Sequence, residues 1–241
     1  MVSLASLKPL GHKAYGSIPH LPNSRMGPAD HHCSIGQANI CTLKPRDKHD
    51  VIVVQEKLDG SCCAVYRKGN EFLALTRAGH LAESSQYEQH KLFANWVKEN
   101  EVRFALSLVD GERLVGEWLA QAHGTIYDLT DADPFVAFDI MQGPVRLPYH
   151  EFWNRAADHF TLPHCLSAKN KSVSVNEILE HLGEYGFHYA ETPIEGAIWR
   201  VERKGKVDFL AKYVRPDKKD GIYLPEISGA DAIWNWKPIK V

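Results

Sequence analysis

Lys57 has the setting in this chain that most suggests chemistry, because it closes a segment that begins with four β-branched residues at 51–54. Such a run predicts a buried strand, and lysine is almost never buried without a partner. Desolvation and nearby cations lower the pKa of an amine, which makes it nucleophilic near neutral pH. A simpler interpretation stays open here: an edge-strand lysine beside an ordinary Asp59-Gly60 hairpin turn. The choice depends on residues elsewhere in the chain.

Five further segments carry charged or aromatic side chains on or next to predicted strands. Each short motif occurs by chance in many proteins, but all of them in one order, together with Lys57-Leu58-Asp59-Gly60, indicate a shared site. In chain order they are Thr76-Arg77-Ala78-Gly79-His80, Gly116-Glu117-Trp118, Phe135-Val136-Ala137-Phe138-Asp139-Ile140, Glu195-Gly196-Ala197-Ile198 and Ala211-Lys212-Tyr213-Val214-Arg215.

The elements that must position these motifs have the pattern of antiparallel strands with helices between them. Residues 1–50 show no lasting period and are predicted to be an irregular N-terminal segment. Only about 25 residues follow Pro216, too few for a full C-terminal OB domain, since domains usually exceed ~50 residues. We therefore expect one α+β domain over 1–241. Strands are predicted at 51–54, 61–67, 71–77, 113–119, 134–141, 195–203 and 207–213, and helices at 85–100, 151–159 and 174–185.

Composition narrows the class of protein. The chain has 241 residues, 44% hydrophobic and 24% charged, with a formal net charge of -2. This charge excludes a uniformly basic nucleic-acid coat but allows a local basic groove. Five cysteines without CxxC spacing favour reduced thiols and a cytoplasmic protein. No signal peptide is recognisable, and no stretch approaches the ~20 apolar residues of a membrane span, so no membrane partner is expected.

Charged residues outside the motifs are expected on solvated faces, because a charged side chain is rarely buried without a partner. This prediction covers Arg25, Glu112, Glu202 and the run Asp217-Lys218-Lys219-Asp220.

Over residues 51–215 the motif set resembles the covalent nucleotidyltransferase superfamily of polynucleotide ligases and mRNA capping enzymes. The Phe138-Asp139 pair, with Glu56 just before the lysine, looks most like the RNA ligase branch of nick-sealing and editing ligases. The resemblance implies an α+β, antiparallel-sheet-rich nucleotidyltransferase domain of the ATP-grasp-like ligase adenylation type. It also implies ATP as AMP donor, Mg²⁺ or Mn²⁺, and RNA partners with 5′-phosphate and 3′-hydroxyl ends.

The resemblance assigns roles around the phosphates. Lys57 matches the lysine that attacks the α-phosphate of ATP to give a lysyl–AMP phosphoramidate. Asp59 and Gly60 match the turn around the nucleotide, and Arg77 matches an arginine on the ribose or the incoming phosphate. Lys212 matches the lysine on the α-phosphate. Arg77 and Lys212 are expected to depress the pKa of Lys57.

It also assigns roles around the nucleoside. Phe138 matches the aromatic stacked on adenine, Asp139 its acidic neighbour, and Ile198 the opposite wall of the base pocket. Glu117 matches the carboxylate that accepts from a ribose hydroxyl, and Glu56 belongs to the same nucleotide-binding set.

Glu195 matches the carboxylate that helps to hold a divalent cation, directly or through water. One departure concerns the last motif, which in the family commonly carries two lysines spaced by one residue. Here the run is Lys212-Tyr213-Val214-Arg215. Whether Arg215 replaces the second lysine stays open, because residues three apart in a regular strand point to opposite faces.

Three other functions compete with an ATP-dependent RNA ligase. A GTP-dependent mRNA capping guanylyltransferase shares the lysine chemistry and would differ by retaining GMP. A DNA ligase is disfavoured by the Phe138-Asp139 pair and by the short C-terminal region. A non-catalytic nucleic-acid or nucleotide-binding module would keep the fold without the covalent adduct.

Overall fold

The computed structural model describes residues 8–238, and in this range the strands form two antiparallel sheets. The strands are β1 Asp50–Lys57, β2 Ser61–Lys68, β3 Glu71–Thr76, β4 Glu112–Trp118, β5 Phe135–Gln142, β6 Val145–Arg146, β7 Cys165–Lys169, β8 Gly196–Arg203 and β9 Lys206–Val214. The order β7-β1-β8-β9 makes the Lys57 sheet, and the order β3-β2-β4-β5-β6 makes the Glu117 sheet. The seven strands predicted from sequence are confirmed within a few residues at each end.

Residues 8–238 form six α-helices, of which the first five pack on the sheets. They are α1 Ile35–Thr42, α2 Glu88–Glu99, α3 Glu101–Ser107, α4 Tyr149–Ala156, α5 Val175–Leu182 and α6 Pro225–Ser228. Side chains of α2, α3 and α4 pack with those of the Glu117 sheet in one core, which contains Phe93, Phe104, Trp118 and Phe135. A second core joins α1 and α5 to the Lys57 sheet around Trp199. The α+β class expected from sequence is confirmed.

The Asp59-Gly60 turn is not a hairpin, because β1 and β2 belong to different sheets. The chain crosses from the Lys57 sheet to the Glu117 sheet within these residues. A Cβ at Gly60 would lie 2.5 Å from the carbonyl oxygen of Trp118, so only glycine allows this close approach. The alternative of an ordinary hairpin turn after Lys57 is therefore wrong.

The described part of the N-terminal segment, residues 8–50, contacts the edges of both sheets. Ala14 donates its backbone N–H to the carbonyl of Arg77 at 3.0 Å, and Leu21 donates to that of Lys212 at 2.8 Å. The prediction of a wholly irregular segment missed α1, which begins after Ser34 in a capping box with Gln37. Its buried residues are the small Ala38 and Cys41, so no strong apolar period marks it in the sequence.

Three residues predicted to be solvated are buried: Glu112, Glu202 and Lys218. Arg155 donates to Glu112 at 3.0 Å, and Arg200 donates to Glu202 at 2.8 Å. Burial is possible because each charge meets partners that are distant in sequence or on the same strand. In the part of the chain that the structure describes, every helix is too short or too polar to cross a bilayer.

Candidate active site

A cavity of about 790 Å³ is lined by strands of both sheets and by the N-terminal segment. The structure brings every residue predicted for the site to this one cavity. They are Glu56, Lys57, Asp59, Gly60, Arg77, Glu117, Phe138, Asp139, Glu195, Ile198 and Lys212. Arg215 does not line it and instead pairs with Asp217 at 3.1 Å.

Lys57 lies at the end of β1, where its neighbour across the sheet is Gly196 of β8. This pairing places the amine beside Glu195, and Lys57 Nζ lies 2.5 Å from Glu195 Oε2. The lysine side chain keeps 18% of its surface exposed, and the cavity is its route to solvent. An amine with access from one side can meet a substrate that enters the cavity.

The electrostatics of Lys57 differ from the expectation. Burial lowers the pKa of Lys57, but the carboxylates of Glu195 and Glu117 outweigh it, so the pKa lies above its ordinary value. Arg77 instead donates to Ser17 Oγ at 3.2 Å, and Lys212 Nζ lies 3.5 Å from Asp30 Oδ1. The expected depression by Arg77 and Lys212 is therefore wrong for this state. Nucleophilic attack requires the amine to leave its carboxylate partner and lose a proton.

Two carboxyls beside the lysine, those of Glu195 and Glu117, have raised pKa values. Burial raises the pKa of Glu195 to about 7, although the charge of Lys57 acts to lower it. Burial also raises the pKa of Glu117 to about 7, while Gly60 donates its backbone N–H to Glu117 Oε1 at 3.1 Å. Carboxyls with these pKa values gain stability from an added cation or a hydroxyl donor.

The donor set suits a hard cation shared between protein and phosphate. Mg²⁺ usually keeps several waters and takes one or two carboxylates with substrate oxygens, not an all-protein cage. Residues 8–238 contain no cluster of three or more His, Cys, Asp or Glu placed to hold an ion. Glu195, whose buried carboxyl lines the cavity, fits the single-ligand arrangement.

Phe138 and Ile198 contribute apolar surface from opposite sheets. Val115 of β4 pairs with Asp139, while Gly116 pairs with Ala137, so Phe138 is the extra residue of a β-bulge. Bulges redirect side chains next to functional sites. Tyr15 of the N-terminal segment packs edge-on against Phe138, with ring centroids 5.2 Å apart.

The carboxylate of Asp139 is occupied by protein partners. Arg200 of β8 donates to Asp139 Oδ1 at 2.6 Å, and Tyr15 Oη donates to Oδ2 at 2.8 Å. Arg146 donates to the same Oδ2 at 3.1 Å. Asp139 thus ties the two sheets and the N-terminal segment together directly behind Phe138.

Glu56 directs its carboxylate to a loop, away from Lys57. Phe187 donates its backbone N–H to Glu56 Oε2 at 3.1 Å, and Oε1 has no hydrogen-bond partner. Burial raises the pKa of this carboxyl from 4.5 to about 7. Successive residues of a strand point to opposite faces, which explains why Glu56 and Lys57 diverge.

We expect Glu56→Gln to flatten the pH dependence of stability. The folded state binds the Glu56 proton more tightly than the unfolded state, so this stabilisation is complete below pH 4.5 and is lost as pH rises through 7. Between pH 5 and pH 8 the free energy of unfolding of the wild type should fall by about 2 to 3 kcal/mol more than that of Glu56→Gln. Urea unfolding at both pH values measures this, with the exposed Glu180→Gln as control. Equal pH slopes for the two proteins would show that burial does not raise the pKa of the Glu56 carboxyl.

Sequence reasoning missed cavity residues of the N-terminal segment. His20 Nε2 lies 3.2 Å from Asp30 Oδ2, and Asp30 also contacts Lys212. Arg25, predicted to be solvated, lines the cavity and pairs with Asp220 at 2.6 Å. No short motif marks these residues, because Asp30 follows His20 at a distance in the same segment, and the other partners, Lys212 and Asp220, lie on β9 and in the C-terminal region.

Comparison with known proteins identifies the family and the fold. A family model described as RNA ligase matches residues 50–214, from the first residue of β1 to the last of β9. No curated protein sequence matches the chain. A solved archaeal ATP-dependent RNA ligase has a TM-score of 0.53 at 16% identity, over 83% of this chain and 48% of that one. A mutant Naegleria gruberi RNA ligase with AMP and Mn has a TM-score of 0.51 at 18% identity, over 73% of this chain and 53% of that one. These likenesses show a shared fold, and the chain spans about half the length of those proteins.

Proposed function

Because the chain belongs to the RNA ligase family, we propose that it is an ATP-dependent RNA ligase that works through a lysyl–AMP intermediate. The observation that carries the proposal is the Lys57 amine, which faces a cavity lined by both sheets and lies 2.5 Å from the Glu195 carboxylate. A lysine in this setting can act as a nucleophile once another cation pairs with Glu195 and the Lys57–Glu195 ion pair breaks.

The proposed reaction has three steps. Lys57 Nζ loses a proton and attacks the α-phosphorus of ATP, so that a P–N bond forms and the bond to pyrophosphate breaks. An oxygen of an RNA 5′-phosphate then takes the AMP and frees the amine. The 3′-hydroxyl of a second RNA end finally attacks that 5′-phosphorus, forms the phosphodiester and expels AMP. RNA with 5′-phosphate and 3′-hydroxyl ends is therefore the proposed partner.

The other site residues support binding and orientation. Lys212 and Arg77 line the cavity and can approach phosphate oxygens once they leave Asp30 and Ser17. Mg²⁺ or Mn²⁺, when bound at Glu195, would neutralise phosphate charge and polarise the phosphorus. Glu117 can accept from a ribose hydroxyl, and Phe138 with Ile198 can hold the adenine between the sheets.

The setting that we propose is reducing and cytoplasmic. All five cysteines are free thiols, and extracellular proteins usually oxidise theirs.

One labelling experiment separates the candidate functions. The protein is incubated with Mg²⁺ and each α-labelled nucleoside triphosphate in turn, then resolved on a denaturing gel and tested for acid lability. Label from ATP alone, followed by joining of 5′-phosphate to 3′-hydroxyl RNA strands, is the expected result. Retained GMP with transfer to 5′-diphosphate RNA would instead identify a capping enzyme. No adduct with any nucleotide would identify a binding module.

We expect Phe138→Ala to raise the ATP concentration needed for half-maximal adenylation by about tenfold or more. Base–aromatic stacking contributes roughly 1–3 kcal/mol, and 1.4 kcal/mol corresponds to a factor of ten. Phe138→Tyr keeps the ring and should be tolerated. Phe72→Ala, which removes a half-buried ring of the Glu117 sheet outside the cavity, is the matched control. Normal adenylation by Phe138→Ala at low ATP would make Phe138 a core residue only.

A further inference from the structure

Lys218 is a buried lysine that does not line the cavity. Its side chain is 5% exposed, whereas the next residue, Lys219, is exposed. A buried ammonium is costly unless its protons meet acceptors and its charge meets a counter-charge. The structure meets both conditions, and the partners include the site residue Asp59 and Pro193, which lies two residues before Glu195.

The three ammonium protons of Lys218 have three short acceptors. Nζ donates to the carbonyl of Gly124 at 2.6 Å, to Thr125 Oγ1 at 2.5 Å and to the carbonyl of Pro193 at 2.8 Å. The counter-charge is Asp59, whose Oδ2 lies 3.3 Å from the same nitrogen. Since lysine has three N–H donors, no proton remains for a phosphate.

Asp59 is fixed by the same group of residues. Gly124 donates its backbone N–H to Asp59 Oδ2 at 3.1 Å. A Cβ at Gly124 would lie 2.7 Å from that oxygen and 2.7 Å from the carbonyl oxygen of Lys219, so these segments are in direct contact. Asp59 lies two residues after Lys57, so its position constrains the end of β1.

The segment that carries Glu195 is hydrogen-bonded to the turn at 215–218. Pro193, two residues earlier, accepts from Lys218, and the carbonyl of Glu195 accepts from the backbone N–H of Arg215 at 2.9 Å. Lys218 itself donates its backbone N–H to Arg215 at 3.1 Å, which closes the turn at 215–218. One side chain therefore joins the segment after Lys57 to the segment before Glu195.

We propose that Lys218 is a positioning residue for the adenylation step, which sets the Lys57 amine and the Glu195 carboxylate at their working separation. This inference rests on the proposed function. Lys218 acts through Asp59 and Pro193 and touches no reacting atom. Its loss would leave the half-buried Asp59 without its counter-charge and the carbonyls of Gly124 and Pro193 without this donor, and would let the 193–195 segment move away from β1.

The test measures single-turnover adenylation with saturating α-labelled ATP, in which the amplitude counts folded active molecules and the rate constant reports the geometry of the site. Lys218→Met is expected to lower the rate constant by about tenfold to a hundredfold, because small displacements of reacting groups raise the activation barrier. The ATP concentration for half-maximal rate should stay near the wild-type value, because Phe138 and Ile198 are untouched. Lys219→Met is the matched control from the same turn.

A purely structural role would lower the amplitude or the melting temperature and leave the rate constant unchanged, and that result overturns the inference. If Lys218→Met does not fold, Thr125→Val decides, since it removes one acceptor and keeps the side-chain volume. A slower rate constant at full amplitude supports positioning, and a wild-type rate constant contradicts it. Asp59→Asn and Lys218→Met should also be non-additive in rate if they act as one unit. If the wild type itself forms no adduct, the proposed function fails and this inference fails with it, whereas a labelled wild type with an unaffected Lys218→Met overturns only the inference.

Discussion

Lys57→Ala and Lys57→Arg are both expected to abolish the covalent AMP adduct, with no label above background on a denaturing gel. Alanine removes the nucleophile. Arginine keeps the positive charge and can still pair with Glu195, but its guanidinium stays protonated and cannot attack phosphorus. Loss of label in Lys57→Arg therefore reports lost chemistry with the ion pair preserved. The adduct of the wild type should be labile in acid, as a phosphoramidate is.

Lys68→Ala is the matched control for this experiment, because Lys68 is an exposed lysine at the end of β2. It should label like the wild type. Undiminished label in either Lys57 variant would move the nucleophile to another residue and remove the basis of the proposed function.

Glu195→Ala is expected to slow self-adenylation by about a hundredfold or more, the order of effect seen when a preorganised charge contact is removed from an active site. The carboxylate has two tasks in the structure: it pairs with Lys57 at 2.5 Å and lines the cavity where a cation would sit. Loss of the only carboxylate assigned to the metal should raise the Mg²⁺ concentration required. Excess Mg²⁺ or Mn²⁺ should therefore restore part of the rate.

Thermal unfolding of the same variant separates this role from a structural one. Glu191→Ala, an exposed change in the same loop, serves as control. A fall in melting temperature with an unchanged Mg²⁺ titration would mean that Glu195 supports the fold, and the metal assignment would be given up.

The sequence by itself predicted seven of the strands and the motif residues proposed for the site, but it missed α1 and the cavity residues His20, Arg25 and Asp30. Runs of β-branched residues predict β1, and Ser174 with Glu177 predicts the start of α5, where Ser174 accepts from the Glu177 backbone N–H. These features depend on interactions within a few residues, so local patterns reveal them. The motif residues that were predicted to share a site all line one cavity.

Only the tertiary structure decided how the charges are paired. Asp139 on β5 pairs with Arg200 on β8, across the two sheets, and Lys218 pairs with Asp59, which lies far away in the sequence. In each pair the two residues lie on different elements, so no sequence period or short motif links them. For the same reason the sequence suggested cations around Lys57, whereas the folded chain places carboxylates there.

The path of the chain between the sheets was also decided by tertiary structure. Asp59-Gly60 has the composition of a hairpin turn, yet it joins two sheets because β1 pairs with β7 and β8 and β2 pairs with β3 and β4. Helix α1 is short and buries only small residues, so its stability comes from its cap and from packing on the Lys57 sheet. Local sequence sets what a segment can form, while the burial of each face and the pairing of each charge depend on contacts between segments far apart in the chain.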